Sequence, residues 1–193
     1  MNNKISNSKI ILASKSPRRK EILENAGYDI KIRTQNADET LPAGISPEKA
    51  VQMLAEIKAS AVERQSGETV IGADTVVSVD GEILGKPRDE NDAFLMLKKL
   101  SNREHEVFTG VCIITDKSKT VFSERSVVRF NKLSDEEILL YIKSGEPMDK
   151  AGAYAIQGKA GEFARVESGS FYNVMGFPIE TFNKKFLEIL KIY

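Results

Sequence analysis

The 193-residue chain has one cysteine, one histidine and no tryptophan, and its 28 basic residues are balanced by 28 acidic ones. A lone Cys112 excludes an intramolecular disulfide framework and fits a reducing compartment. With His105 as the only histidine, a Cys/His zinc cluster is excluded as well. Zero formal net charge and a pI near 6.6 leave no broad field for duplex nucleic acid or an anionic membrane, so partners must be recognised locally. No stretch approaches the roughly 20 apolar residues of a membrane span, and the longest runs, such as Val111-Cys112-Ile113-Ile114, are strand-length. Met1 to Lys9 is polar and lacks the apolar segment of about 7–15 residues that a signal peptide needs. The expectation is a soluble cytoplasmic protein whose residues 1–193 form a single domain.

Strand and helix signals alternate along the chain. Ile10–Ala13 is an apolar run, and Ser16-Pro17 behind it is a helix entry whose helix closes near Gly27. Tyr28–Ile32 reads as a short strand, and a loop from Asn36 leads to a second Ser-Pro entry at Ser46-Pro47. The spacing of Val51, Leu54, Ala55, Ala59 and Val62 predicts an amphipathic helix there. Thr69–Val79 reads as a strand, with Asp80-Gly81 as a two-residue hairpin turn back through Glu82–Leu84. A helix is expected over Asp89–Leu100 and an antiparallel pair over Glu106–Thr115 and Thr120–Phe130. Ser134-Asp135-Glu136-Glu137 is a capping box for a helix through Ile142, and a glycine-rich stretch from Gly145 to Gly176 precedes a last helix from about Pro178 to Lys191. Interleaved helices and hairpins imply an α/β fold on a mixed sheet.

Four segments carry possible chemistry. In Ser14-Lys15-Ser16-Pro17-Arg18-Arg19, two arginines occupy the first turn of a helix, against its positive dipole end. That placement costs stability unless an anion offsets it, which suggests phosphate; the plainer alternative is a solvated surface pair. Gly72-Ala73-Asp74-Thr75 sets a carboxylate inside an apolar strand, where it is costly unless paired, hydrogen-bonded or metal-bound. Edge exposure would satisfy Asp74 equally. With Glu39 as a second oxygen donor in a loop that also offers Asp38, a metal there would be a hard ion such as Mg²⁺ or Mn²⁺. Gly85-Lys86-Pro87 follows the hairpin. Gly81 to Lys86 is one residue short of a P-loop and has Pro87 where the magnesium-binding hydroxyl belongs, so only a point charge at Lys86 survives. Lys58 lies on the amphipathic helix, where its stem could simply pack while the head reaches water. In Asp149-Lys150-Ala151-Gly152-Ala153-Tyr154-Ala155-Ile156-Gln157-Gly158, small residues surround one aromatic and one amide, and Gln157 can both donate and accept at a base edge; a structural turn is the simpler alternative. His105 and Cys112 read as structural.

These four segments, in this order and over nearly the whole chain, resemble the Maf family, once named for septum formation. The resemblance implies a Maf/inosine-triphosphatase-like α/β architecture, elongated and two-lobed on a mixed β-sheet with the active cleft between the lobes. It implies a nucleoside triphosphate pyrophosphatase that releases a nucleoside monophosphate and pyrophosphate. On the matched positions Asp74 resembles the general base and metal-associated carboxylate. Ser14, Arg19, Glu39, Lys58 and Lys86 resemble catalytic and phosphate-binding positions, and Arg18, Thr75 and Gln157 those that distinguish substrates. Arginine, threonine and glutamine there look like the subgroup acting on dTTP and UTP. The mechanism so implied has a divalent ion, Mg²⁺ or Mn²⁺, on Glu39 and Asp74, with Asp74 accepting the proton of the attacking water. Arg19, Lys58 and Lys86 stabilise phosphate charge, and Gln157 with Arg18 reads the pyrimidine. A homodimer is implied, with no stable nucleic-acid partner and no membrane. The alternatives are the 7-methyl-GTP subgroup and a non-enzymatic nucleotide-binding regulator of septum formation.

Overall fold

The computed structural model describes residues 9–191; the polar segment read as lacking a signal peptide lies outside them up to residue 8. One seven-stranded mixed sheet runs through the molecule. β1 (Lys9–Leu12) leads through α1 (Pro17–Asn25) to β2 (Ile30–Ile32), and α2 (Pro47–Ala61) precedes the long β3 (Glu68–Val79). β4 (Glu82–Leu84), α3 (Glu90–Leu100), β5 (Glu104–Ile114), β6 (Lys119–Phe130) and α4 (Asp135–Ile142) follow. Three 3₁₀ turns then lead to β7 (Ala164–Ser168), α5 (Phe171–Met175) and α6 (Ile179–Lys191). The strand order is β2-β1-β3-β5-β6-β7, with β4 paired separately to β3. β1 is parallel to both β2 and β3, and the other pairs are antiparallel.

Several of the local signals operate as read. Ser46 caps α2 by accepting from Lys49 N, and the Ser134/Glu137 capping box is complete. Asp80 and Gly81 both take positive φ in the β3–β4 hairpin. The stretch read only as glycine-rich holds β7 and α5 in addition. β7 is short, and its Arg165 and Glu167 pair with each other on the surface, so it carries no apolar run to betray it.

Successive residues of β3 point to opposite faces of the sheet, and the two faces are built differently. On one face α2 lies directly against the strands at two glycines. A Cβ on Gly72 would fall 2.2 Å from Ala55 O, and one on Gly110 of β5 would fall 2.2 Å from Val51 O. On the other face two apolar clusters form. Ile71, Ala73, Val111 and Ile113 pack with α1 and α6, while Val77, Val79 and Val107 pack with α3 and α4. Between them sit Thr75 and Thr109, directly paired across β3 and β5. This polar seam divides the fold into the two lobes that the resemblance implies.

The sheet also has a gap. On the β3 edge away from β5, β1 pairs only with residues 68–71 and β4 only with 77–79. Among the described residues no strand neighbours 72–76 there, so Asp74 and Thr75 open to the same space although they point to opposite faces.

Candidate active site

A cleft of about 820 Å³ fills this gap. The loop after β1, the loop after β2, α2, the middle of β3, the end of β4 and the segment 149–157 all line it. Every candidate named from the sequence, Ser14, Arg18, Arg19, Glu39, Lys58, Asp74, Thr75, Lys86 and Gln157, contributes to its wall. They come from positions between residues 14 and 157, and the sheet gap is what gathers them.

Asp74 does not face bulk solvent. Its side chain is 14% exposed, and Oδ1 accepts a hydrogen bond from Lys58 Nζ at 2.5 Å. The same ammonium lies 3.1 Å from Glu39 Oε2. Lys58 reaches this point because Gly72 and Gly110 let α2 sit close on the sheet, and its head is therefore turned into the cleft rather than out to water. Asp38, the other carboxylate of the loop, is engaged locally. Thr40 donates to Asp38 Oδ1 from its amide and its hydroxyl, and these bonds hold the Asp38 carboxyl below its ordinary pKa. Two carboxylates converging on one cation suit a hard divalent ion, which takes one or two protein carboxylates and completes its shell with water and phosphate. No group of three or more His, Cys, Asp and Glu gathers as a metal site among the described residues.

Arg19 is held from three sides. Its Nε donates to Gly176 O at 2.9 Å, and its two terminal nitrogens donate to Ser14 Oγ and Thr75 Oγ1, both at 3.1 Å. Burial pushes its pKa down, with Asp74 opposing the shift; a guanidinium stays charged at neutral pH regardless. Ser14 Oγ also accepts from Ser16 N at 3.2 Å. Ser16 occupies the N-cap position expected of it, but its hydroxyl makes no capping bond, and α1 has no acidic residue in its first turn. The positive end of α1 is thus left without an internal anion, beside Arg18 and Arg19.

Thr75, matched to a substrate-distinguishing position, faces inward. Its hydroxyl meets Arg19 and also Thr109 Oγ1 at 3.0 Å, and Thr109 in turn donates to Asn173 O at 2.9 Å. Asn173 is fully buried on α5 and its amide donates to Val107 O and Ser126 Oγ. Thr109, Asn173 and the Gly176 carbonyl escaped the sequence reading. The only trace they leave is an asparagine within the apolar surroundings of Phe171 to Met175.

Elsewhere in the wall, Lys86 and Gln157 are exposed and Arg18 is half-buried. Lys150, also unassigned from sequence, lies in the wall with its side chain 12% exposed and ion-paired to Asp149. Burial raises the Asp149 pKa, but the hydrogen bond from Lys150 and the charges of Lys150 and Arg18 outweigh it and hold the carboxyl below its usual value. The cleft therefore gathers several cations, the three carboxylates of Glu39, Asp74 and Asp149, and the Gln157 amide. His105 and Cys112 stand apart from it. They lie buried on opposite faces of β5 and neither lines the cleft; burial drives the His105 pKa down to about 4 and the Cys112 pKa up to about 12.

The sequence model of the family described as Maf-like protein matches residues 9–189. The chain belongs to the Maf family. A dTTP/UTP pyrophosphatase of Thermococcus gammatolerans is 52% identical over 171 residues, 89% of this chain and 91% of the relative. Proteins of the same description from Caldicellulosiruptor saccharolyticus and Bacillus mycoides are 48% and 50% identical. These alignments cover 91% and 89% of this chain, and 92% and 90% of the respective relatives. Among solved structures, the Staphylococcus aureus Ham1 protein superposes with a TM-score of 0.47 at 17% identity, over 63% of this chain and 71% of that one. No helix among the described residues is long and apolar enough to cross a membrane.

Proposed function

We propose that this Maf protein is a nucleoside triphosphate pyrophosphatase that hydrolyses dTTP and UTP to the monophosphate and pyrophosphate. The observation that carries this reading is the convergence of Asp74, Glu39, Lys58 and Arg19 in one cleft, in a chain about half identical over its length to proteins named for that activity. A triphosphate tail needs several fixed cations, and a water attacking its α-phosphorus needs a proton acceptor; the cleft offers both.

Glu39 and Asp74 would hold a divalent cation, Mg²⁺ or Mn²⁺, which when bound lowers the pKa of water and neutralises phosphate charge. The chain's own groups account for the other steps. Arg19, its donors already oriented by Ser14, Thr75 and Gly176, and the open amide end of α1 bind the phosphates. Asp74 accepts the proton as the water oxygen bonds to the α-phosphorus and the bridge to the β-phosphate breaks. Lys58 and Lys86 stabilise charge on the departing pyrophosphate, and Gln157 with Arg18 reads the base at the mouth. The protein works in the cytoplasm as a homodimer without nucleic-acid partners, and removal of non-canonical nucleotides fits its reaction.

The decisive experiment is a panel of canonical and modified triphosphates with Mg²⁺ or Mn²⁺, scored for pyrophosphate and for monophosphate. Pyrophosphate release led by dTTP and UTP is expected. Dominant cleavage of 7-methyl-GTP would move the chain to the other subgroup, and binding without metal-dependent turnover would make it a nucleotide sensor.

A further inference from the structure

The segment that presents Gln157 is held by groups outside the cleft. Tyr141, buried on α4, accepts a hydrogen bond from Ala155 N at 3.2 Å and donates from its hydroxyl to Glu146 Oε1 at 2.7 Å. The second oxygen of the same carboxylate, Glu146 Oε2, accepts from Lys159 N at 3.2 Å. One phenol and one carboxylate therefore pin the backbone on both sides of Gln157. A third tie lies just before them, where Tyr154 Oη and His105 Nε2 are 2.7 Å apart. Gly158 belongs to the same device: a Cβ there would stand 2.4 Å from both Glu146 carboxylate oxygens, so the carboxylate reaches the loop only because this position has no side chain.

We infer that Tyr141 and Glu146, accommodated by Gly158, are positioning residues for base selection: they fix the 155–159 backbone and with it the direction in which Gln157 offers its amide. The inference rests on the proposed role of Gln157 at the nucleobase. The physical need is plain. An amide discriminates bases only if its donor and acceptor are held in register with the base edge, and an exposed glutamine takes that register from the backbone that carries it. A bond between a buried phenol and a carboxylate is charge-assisted and short, which suits it to fix the exposed 157–159 tip of a segment whose Tyr154, Ile156 and Ala160 are already seated in the core.

The test compares kcat/KM for dTTP and GTP in Gln157→Ala, Tyr141→Phe, Glu146→Ala, Glu146→Gln and Gly158→Ala, with thermal unfolding of each. Tyr141→Phe and Glu146→Ala, each of which loses the charge-assisted bond between them and one bond to the backbone, are expected to reduce the preference for dTTP about tenfold, mainly through KM. Glu146→Gln, which keeps one acceptor, should recover part of that loss, and Gly158→Ala should reproduce Glu146→Ala by displacing the carboxylate. Adding Tyr141→Phe to Gln157→Ala should cost no further selectivity, because both act through one contact. If Gln157→Ala alters the preference while the other variants leave it intact, the positioning role is overturned and the reading of Gln157 stands. An unchanged preference in Gln157→Ala overturns both. A uniform fall in kcat for all nucleotides with a lowered melting temperature would show a structural role only and likewise overturn the inference. Should Tyr141→Phe not fold, Gly158→Ala decides, since it removes no buried group.

Discussion

Lys58 Nζ and Asp74 Oδ1 lie 2.5 Å apart at the meeting of α2 and β3, with the Glu39 carboxylate 3.1 Å from the same ammonium. The lysine neutralises two carboxylates that would otherwise repel each other and the incoming triphosphate. Lys58→Met is expected to lower kcat/KM for dTTP about a hundredfold, in line with the loss of one fixed transition-state donor. Steady-state pyrophosphate release checks this, and activity within a factor of two of the parent would remove Lys58 from the machinery.

Asp74→Asn keeps the size of the side chain and removes its basicity. Turnover should fall about 10²–10⁴-fold, the usual contribution of a positioned base. Nucleotide affinity, measured by calorimetry, should stay within a few-fold. Retained turnover would assign proton transfer elsewhere.

Thr75→Val tests whether this hydroxyl acts through Arg19. The substitution deletes the acceptor of one guanidinium nitrogen and the partner of Thr109. A drop in kcat/KM of about tenfold or more is expected for every nucleotide alike, since a bond to a charged group is lost. A change in the ratio of dTTP to UTP turnover at constant total activity would instead make Thr75 a reader of the substrate.

Gly110→Ala forces a methyl to within 2.2 Å of Val51 O. Backbone cannot yield cheaply there, so α2 must lift off the sheet, at about 1–3 kcal/mol of stability. Chemical denaturation would report the loss. Activity should fall with it, because the same shift moves Lys58 away from Asp74.

His105 sets an acid limit on the fold. Burial holds its folded pKa near 4, below the ordinary 6.5, so the unfolded chain binds the proton more readily. The stabilising contribution is complete above about pH 6.5 and drains away as pH falls towards 4, amounting to roughly 3 kcal/mol at the acid end. Unfolding midpoints recorded from pH 7 to pH 4 should decline, and His105→Gln should flatten part of that decline. A parallel decline in the variant would place the acid sensitivity in other groups.

Periodicity, caps and turn residues made most of the elements legible. Ser46, Ser134 and Asp80-Gly81 announced their structures through contacts only a few residues long. β7 and α5 were hidden for the opposite reason: a five-residue edge strand of alternating charge and a five-residue helix bury too little to leave a pattern, and their stability comes from distant partners such as Ser126 and Val107. In the cleft, Asp74 stood out because a carboxylate in an apolar strand demands an explanation. Thr109 and Asn173 did not, because a buried threonine or asparagine is unremarkable until its partners are seen.

Composition and local chemistry by themselves determined that this chain forms an α/β unit without disulfides, and which of its charged residues were out of place unless they met an anion or a cation. Tertiary structure alone decided that those residues meet. β1 stops before Asp74 and β4 starts after it, leaving the edge of β3 uncovered, and two glycines let α2 descend far enough to bring Lys58 to that opening. Such relations join positions from all over the chain through strand register and close approach of backbones, and neither is written in the neighbourhood of any one residue.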